Sequence, residues 1–163
     1  MKKILIVFCV LCFQLTLAQD VTTYYLIRHA EKDRSNPDNS NPELTTEGHQ
    51  RSQRWSVVFE KIQFDAVYST NYLRTIQTAA PTAASQGIEI QFYDPRALYS
   101  DEFKKTTKGQ NVLIVGHSNT IPDLANAILG EQQFDNIPDD INSYLFVITV
   151  SDNKANSKLL TID

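Results

Sequence analysis

Residues 111–115 (Asn111-Val112-Leu113-Ile114-Val115) are apolar almost throughout, with no polar alternation to give the segment a wet face. A strand of that kind must be covered on both sides, as the central strand of a sheet sandwiched between helices is. The rest of the chain alternates around it. Residues 22–27 are rich in β-branched and aromatic side chains and read as a buried strand, 64–68 and 88–92 as two short ones, and 144–150 as a fifth. Asp152-Asn153 can turn the chain into a last strand at 159–162. Between them, Trp55, Val58, Phe59 and Ile62 recur at helical spacing after a hydroxyl cap at Thr45, with Gln50, Arg51, Gln53 and Arg54 on the opposite face. Residues 72–85 form a helix that Pro81 should bend or restart and Gly87 closes, 100–105 a short helix, and 121–129 a helix ended by Gly130. The expected fold is a three-layer α/β sandwich: a mainly parallel sheet of five or six strands with helices on both faces.

One such domain is all that 163 residues hold, and it begins after the first eighteen. Lys2 and Lys3 precede an apolar run over 4–17, then Thr16-Leu17-Ala18 and polar Gln19-Asp20. This is the pattern of a secretory signal peptide cleaved after Ala18, leaving residues 19–163 as the mature domain, secreted or periplasmic. The run is shorter than the roughly twenty residues that span a bilayer, so no membrane span is expected once it is removed. Cys9 and Cys12 lie inside it, and neither follows the small-residue pair expected before a lipidated cysteine. The mature chain therefore has no thiol for a disulfide or a metal site. Losing two lysines takes the formal net charge from -4 to -6, which disfavours nucleic acid as a partner.

Three segments fall just past strand ends, where α/β sheets place their ligands: Arg28-His29-Ala30-Glu31, residues 69–74, and Gly116-His117-Ser118-Asn119. Taken singly each has a plain reading. Arg28 and Arg74 could be surface ion-pair partners and His29 a structural histidine. Gly116 permits a tight strand-to-helix turn, and Ser118-Asn119 can cap the next helix, whose free N–H groups attract anions. His49 reads as solvent-facing. Residues 33–42, a cluster of Asn, Asp, Ser and Pro, read as an irregular surface loop beside the first strand's end.

In this order the segments resemble the histidine phosphatase superfamily, also called phosphoglycerate-mutase-like. The resemblance runs through Arg28-His29-Ala30, then Leu44-Thr45-Thr46-Glu47-Gly48, then Val67-Tyr68-Ser69-Thr70 with Arg74-Thr75 and Gln77-Thr78-Ala79, and ends at Val115-Gly116-His117-Ser118. It implies a phosphatase that hydrolyses a phosphomonoester or phosphoramidate with no metal or other cofactor. His29 would attack phosphorus to form a phosphohistidine, Arg28 and Arg74 would bind the phosphoryl oxygens, and His117, supported by Ser118 and Asn119, would complete the cradle. Its partner would be a small phosphorylated substrate or a phosphohistidine protein. Many members carry a Glu after the third strand that protonates the leaving oxygen. The nearest segment here, Arg96-Ala97-Leu98-Tyr99-Ser100, has none; Asp94 precedes it, Asp101 and Glu102 follow, and Glu102 reaches further. Two rivals remain: a metal-dependent hydrolase using His29, His117 and Glu31, and a non-catalytic phosphate-binding module of the same fold.

Overall fold

A computed structural model describes residues 20–163 apart from Leu98 and Asn153, so the expected signal segment lies outside the described residues. The elements are β1 (Thr22–Arg28), α1 (Thr46–Val58), β2 (Ala66–Ser69), α2 (Leu73–Gln86), β3 (Ile90–Phe92), α3 (Asp101–Thr106), β4 (Asn111–Gly116), α4 (Thr120–Leu129), β5 (Tyr144–Ser151) and β6 (Lys154–Thr161). They build one six-stranded sheet in the order β3-β2-β4-β1-β5-β6. β3, β2, β4 and β1 run parallel, while β5 is antiparallel to β1 and β6, at the edge, is antiparallel to β5.

β4 shows why the apolar run belongs at the centre. Val112 and Ile114 face one layer with Phe103 of α3 and Ile121, Leu124, Ala125 and Ile128 of α4. Leu113 and Val115 face the other with Trp55 and Phe59 at α1 and Ala79 and Ala83 of α2. All four strand residues are fully buried, which removes on the order of 2 kcal/mol of apolar surface energy from water for each.

Three local expectations change. α2 runs through Pro81 as one helix and does not restart, because Ala79 and Ala83, one on each side of the proline, are packed into the core and hold the segment against the sheet. β6 begins at Lys154, well before residue 159, since Asp152 takes a left-handed conformation (φ 48°) and pairing with β5 starts at once, Ser151 opposite Lys154. Its polar first half gave no hydrophobic signal, because an edge strand is held by backbone hydrogen bonds. Arg51 is not on a solvent face: its Nε lies 2.6 Å from Glu31 Oε1. His49 is exposed, as expected.

Candidate active site

The parallel register sets the site. Arg28 stands opposite Gly116 and Ser69 opposite Val115, so the next residues of all three strands emerge together at the carboxyl edge. His29 N donates to Gly116 O at 2.9 Å, and the His29 and His117 rings meet edge to face with centroids 5.6 Å apart. Gly116 serves this junction through its lack of a side chain, not through turn conformation. Its φ is not positive, but a Cβ there would lie 2.7 Å from the Tyr93 hydroxyl and 3.0 Å from Ile121 Cδ1.

The motif residues around the strand ends tie the helices to the loop that carries His29. Thr78 Oγ1 accepts from Ala30 N at 2.9 Å and donates to Arg74 O at 2.7 Å, so one hydroxyl couples the residue after His29 to the turn of α2 that bears Arg74. At the entrance to α1, Thr45 N donates to Glu31 O, and Thr45 Oγ1 caps Gly48 N at 3.1 Å. Gly48 is required by the same approach, since a Cβ there would penetrate the Glu31 carbonyl. Gln77 Oε1 accepts from Leu44 N at 2.8 Å and closes the link between α2 and this entrance.

His29 is only 4% exposed, and its Nδ1 lies 2.7 Å from Ala30 O. A carbonyl only accepts, so Nδ1 carries the proton and Nε2 the lone pair. Burial, then the charges of Arg28 and Arg74, depress the His29 pKa to about 3 against the opposing pull of the Ala30 carbonyl. His117 is lowered to about 4 by burial, then by Arg74, Arg28 and Lys32. Both imidazoles are neutral at neutral pH, the form in which nitrogen can act as a nucleophile.

Arg28 is held from the far side by residues 138–142. Its Nη1 donates to Pro138 O at 2.8 Å and Ile141 O at 3.0 Å, and its Nη2 to Asp139 Oδ1 at 2.9 Å. Asn142 Nδ2 donates to His29 O at 2.7 Å. The same short loop thus fixes both members of the Arg28-His29 pair. Nothing in the pattern of residues 134–142 marks Asn142 as a support for the His29 backbone. What remains unpartnered is informative: Arg28 Nε and Arg74 Nε and Nη1 are buried donors without a hydrogen bond. Buried guanidinium N–H groups are costly to leave unsatisfied, so these donors await an anion. Arg74 is further steadied over the face of Tyr72, 4.5 Å from the ring centroid.

The recess over His29 encloses about 330 Å³ and is lined by Arg28, Lys32, Arg34, Glu31, Arg51 and Asp139 among others. Lys32 was not singled out by the sequence; it is half-buried here and makes no ion pair among the described residues. Asp139 also holds Arg34 at 3.1 Å, and Arg34, followed by Arg28, keeps its carboxyl below the usual range. Glu31 is engaged by Arg51, and among the described residues no cluster of three or more His, Cys, Asp or Glu is placed to hold a metal ion.

The remaining sequence candidates lie elsewhere. Asp101 is fully exposed and paired with Lys104 at 3.1 Å. Glu102 borders a separate groove with Tyr68, Tyr93 and Phe103. Neither lines the recess over His29, because Ser100 caps α3 through Phe103 N and sets the following carboxylates on its outer turn. Asn119 occupies the N-cap of α4 without a side-chain cap, and faces a neighbouring cleft of about 640 Å³ with Arg96, Tyr99, Ser100 and Asp123. The capping expected of Ser118-Asn119 is not made, and the Thr120 hydroxyl instead accepts from His117 N, ahead of the helix, at 3.1 Å. Ser118 contributes its carbonyl to Ile137 N.

Residues 24–95 match the histidine phosphatase superfamily (branch 1), a span that contains Arg28, His29 and Arg74. Over that span the chain is similar to the histidine phosphatase superfamily, and its sheet has the α/β fold of that superfamily's solved structures. Solved members of the fold superpose over most of its length. SixA from Agrobacterium tumefaciens is 22% identical, with 86% of this chain and 98% of that chain covered at a TM-score of 0.65. The protein histidine phosphatase SixA complexed with tungstate is 15% identical over 85% and 96% of the two chains, with a TM-score of 0.69. The alpha-ribazole phosphatase of Shigella flexneri is 16% identical over 85% and 96%, with a TM-score of 0.65. No curated protein sequence matches the chain. His117 lies beyond the matched span, and the β1–β4 register is what brings it to His29.

Proposed function

We propose that the protein is a histidine phosphatase that hydrolyses a phosphomonoester or phosphoramidate through a phosphohistidine on His29, without a metal. The observation that carries the reading is the set of buried, unpartnered N–H groups on Arg28 and Arg74 beside a neutral His29 with Nε2 free. Nε2 attacks phosphorus while the bond to the leaving group breaks. Arg28 Nε and Arg74 Nε and Nη1 donate to the equatorial oxygens, where charge is concentrated in the transition state. The Nδ1–H bond to Ala30 O steadies the imidazole as it becomes cationic. Water then attacks the phosphohistidine, releasing phosphate and returning His29 to its starting form.

The leaving group must depart without a carboxylic acid at the positions first considered, since Asp94 is paired with Arg96, Asp101 and Glu102 face elsewhere, and Asp139 is held ionised. That favours phosphohistidine or another phosphoramidate, and aryl phosphates, over alkyl phosphates. A tetrahedral oxyanion bound by a protein histidine phosphatase of the same fold supports the same class of ligand. The segment ending at Ala18 supports export, so the substrate would be one met outside the cytoplasm. Two measurements test the reading. Rapidly quenched wild type should carry an acid-labile phosphoryl group that His29→Ala lacks, and His29→Ala should lose turnover while keeping its fold. Substantial turnover by His29→Ala would sink the mechanism. Mass spectrometry of the secreted form should find Gln19 at its N-terminus.

A further inference from the structure

Thr70 is sealed at the end of β2, and its hydroxyl has two side-chain neighbours: Thr75 Oγ1 at 2.9 Å and His117 Nε2 at 3.0 Å. Thr75 Oγ1 lies 2.9 Å from each of two carbonyl oxygens, those of Thr70 and Tyr72. A carbonyl can only accept, so the single Thr75 proton is directed at that pair; turned elsewhere, its lone pairs would face both oxygens in a dry site. The Thr70 hydroxyl must then donate to Thr75 Oγ1, or two more lone pairs would meet at 2.9 Å. With its proton so placed, Thr70 Oγ1 is an acceptor toward His117, and Nε2 carries the hydrogen. A neutral imidazole has one N–H, so the lone pair of His117 is on Nδ1, which has no hydrogen-bond partner among the described residues.

We propose that Thr70, fixed by Thr75, is a positioning residue that holds His117 in its Nε2–H tautomer and reserves Nδ1 to take up a proton when a phosphoryl group binds beside His29 and Arg74. His117 thereby becomes a donor to a phosphoryl oxygen in the liganded enzyme alone. The inference rests on the phosphoryl-binding reading above.

The groups around the ring explain why proton uptake follows the ligand. Arg74 on α2, Arg28 on β1 and Lys32 after β1 all place positive charge near His117, while neutral His29 and the edge of Tyr72 flank it. In the empty site these cations oppose an imidazolium. A phosphoryl dianion among the same three cations offsets them, and its oxygen repels a bare nitrogen lone pair until a proton lies between. That proton comes from solvent or from a monoanionic substrate, and it leaves again when phosphate departs. Because the tautomer is already set, the proton has one place to go and the ring need not turn.

The chain has three histidines, so ring 15N spectra of histidine-labelled protein resolve each of them, with single substitutions assigning the signals. At pH 7 the free enzyme should show His117 protonated at Nε2 and bare at Nδ1, and saturating orthovanadate or inorganic phosphate should shift Nδ1 to the protonated range. Thr70→Val should give a mixture of tautomers and a kcat on an aryl phosphate lower by roughly 10- to 100-fold, as misplaced donors cause. Thr70→Ser should restore both. A free-enzyme His117 bearing its proton on Nδ1, or an anion that perturbs His29 but leaves Nδ1 bare, would overturn the proposal while sparing the phosphatase reading. So would wild-type spectra and kcat in Thr70→Val. If neither anion perturbs His29, the phosphoryl site itself is wrong. Should Thr70→Val fail to fold, the wild-type titration and Thr70→Ser still decide.

Discussion

Asp139 Oδ1 lies 2.9 Å from Arg28 Nη2, joining a carboxylate 73% exposed to a guanidinium 2% exposed. The pair is asymmetric in consequence as well. Arg28 keeps two backbone acceptors on Nη1 whatever happens to Asp139, so the carboxylate is not needed to hold it in place. It does present a negative charge to any incoming phosphoryl group. Asp139→Asn should therefore tighten inhibition by inorganic phosphate severalfold and change stability by less than about 1 kcal/mol, as for other exposed pairs. Weaker inhibition would show that Asp139 orients Arg28.

Arg74 has two buried donors with no protein partner, and its other visible contact is the Tyr72 ring. Arg74→Ala should lower kcat by about 10²- to 10³-fold, as loss of a preorganised donor does. Arg74→Lys should recover little, because an ammonium cannot reproduce two fixed N–H directions. Steady-state kinetics on an aryl phosphate would read both effects.

Neutral His29 makes stability depend on pH in a definite direction. In the unfolded chain the imidazole gains a proton below about 6.5; in the fold it does so only near 3. The unfolded state binds more protons across that window, so the stability contributed by the neutral ring is complete above 6.5 and is lost as pH falls. Between pH 6 and 4 the unfolding free energy of the wild type should drop more steeply than that of His29→Asn, by about 1.4 kcal/mol per pH unit. Denaturant titrations at several pH values give the slope. Equal slopes would mean that His29 is already charged in the fold. Turnover should persist to well below pH 6.5, for the same reason.

Gly48 meets the carbonyl of Glu31, two residues past His29. Because the obstructing atom is backbone, Gly48→Ala must move the loop that carries His29. We expect a loss of about 1–3 kcal/mol, typical of overpacking, with a fall in kcat. Thermal unfolding and kinetics would check the two together.

The leaving-group preference follows from where the carboxylates are. Aryl phosphates and phosphohistidine should be turned over about 10²- to 10⁴-fold faster than an alkyl phosphate, the usual worth of the missing proton transfer. Asp101→Asn and Glu102→Gln should leave that ratio unchanged, since one side chain is paired with Lys104 and the other borders a different groove. A ratio that widens in either variant would identify the acid.

The chain's local order was set by patterns that depend on near neighbours. The unbroken apolar run of β4, the Thr45 cap, the left-handed glycines at 87 and 130 and the Arg28-His29 strand end are each properties of a few consecutive residues, and each is found where the sequence puts it. Only the tertiary structure decided what depends on register and on contacts distant in sequence. Arg28 opposite Gly116 is a pairing across 88 positions, and it creates the His29–His117 contact. Asn142 reaches His29 O from 113 residues away. Thr70 appeared in the sequence merely as part of a motif, and its role arises because β2 and β4 end side by side. Arg51 was misplaced for a related reason: helical periodicity separates a polar face from an apolar one, but it cannot tell that Glu31 waits beside that face to draw a charge inward.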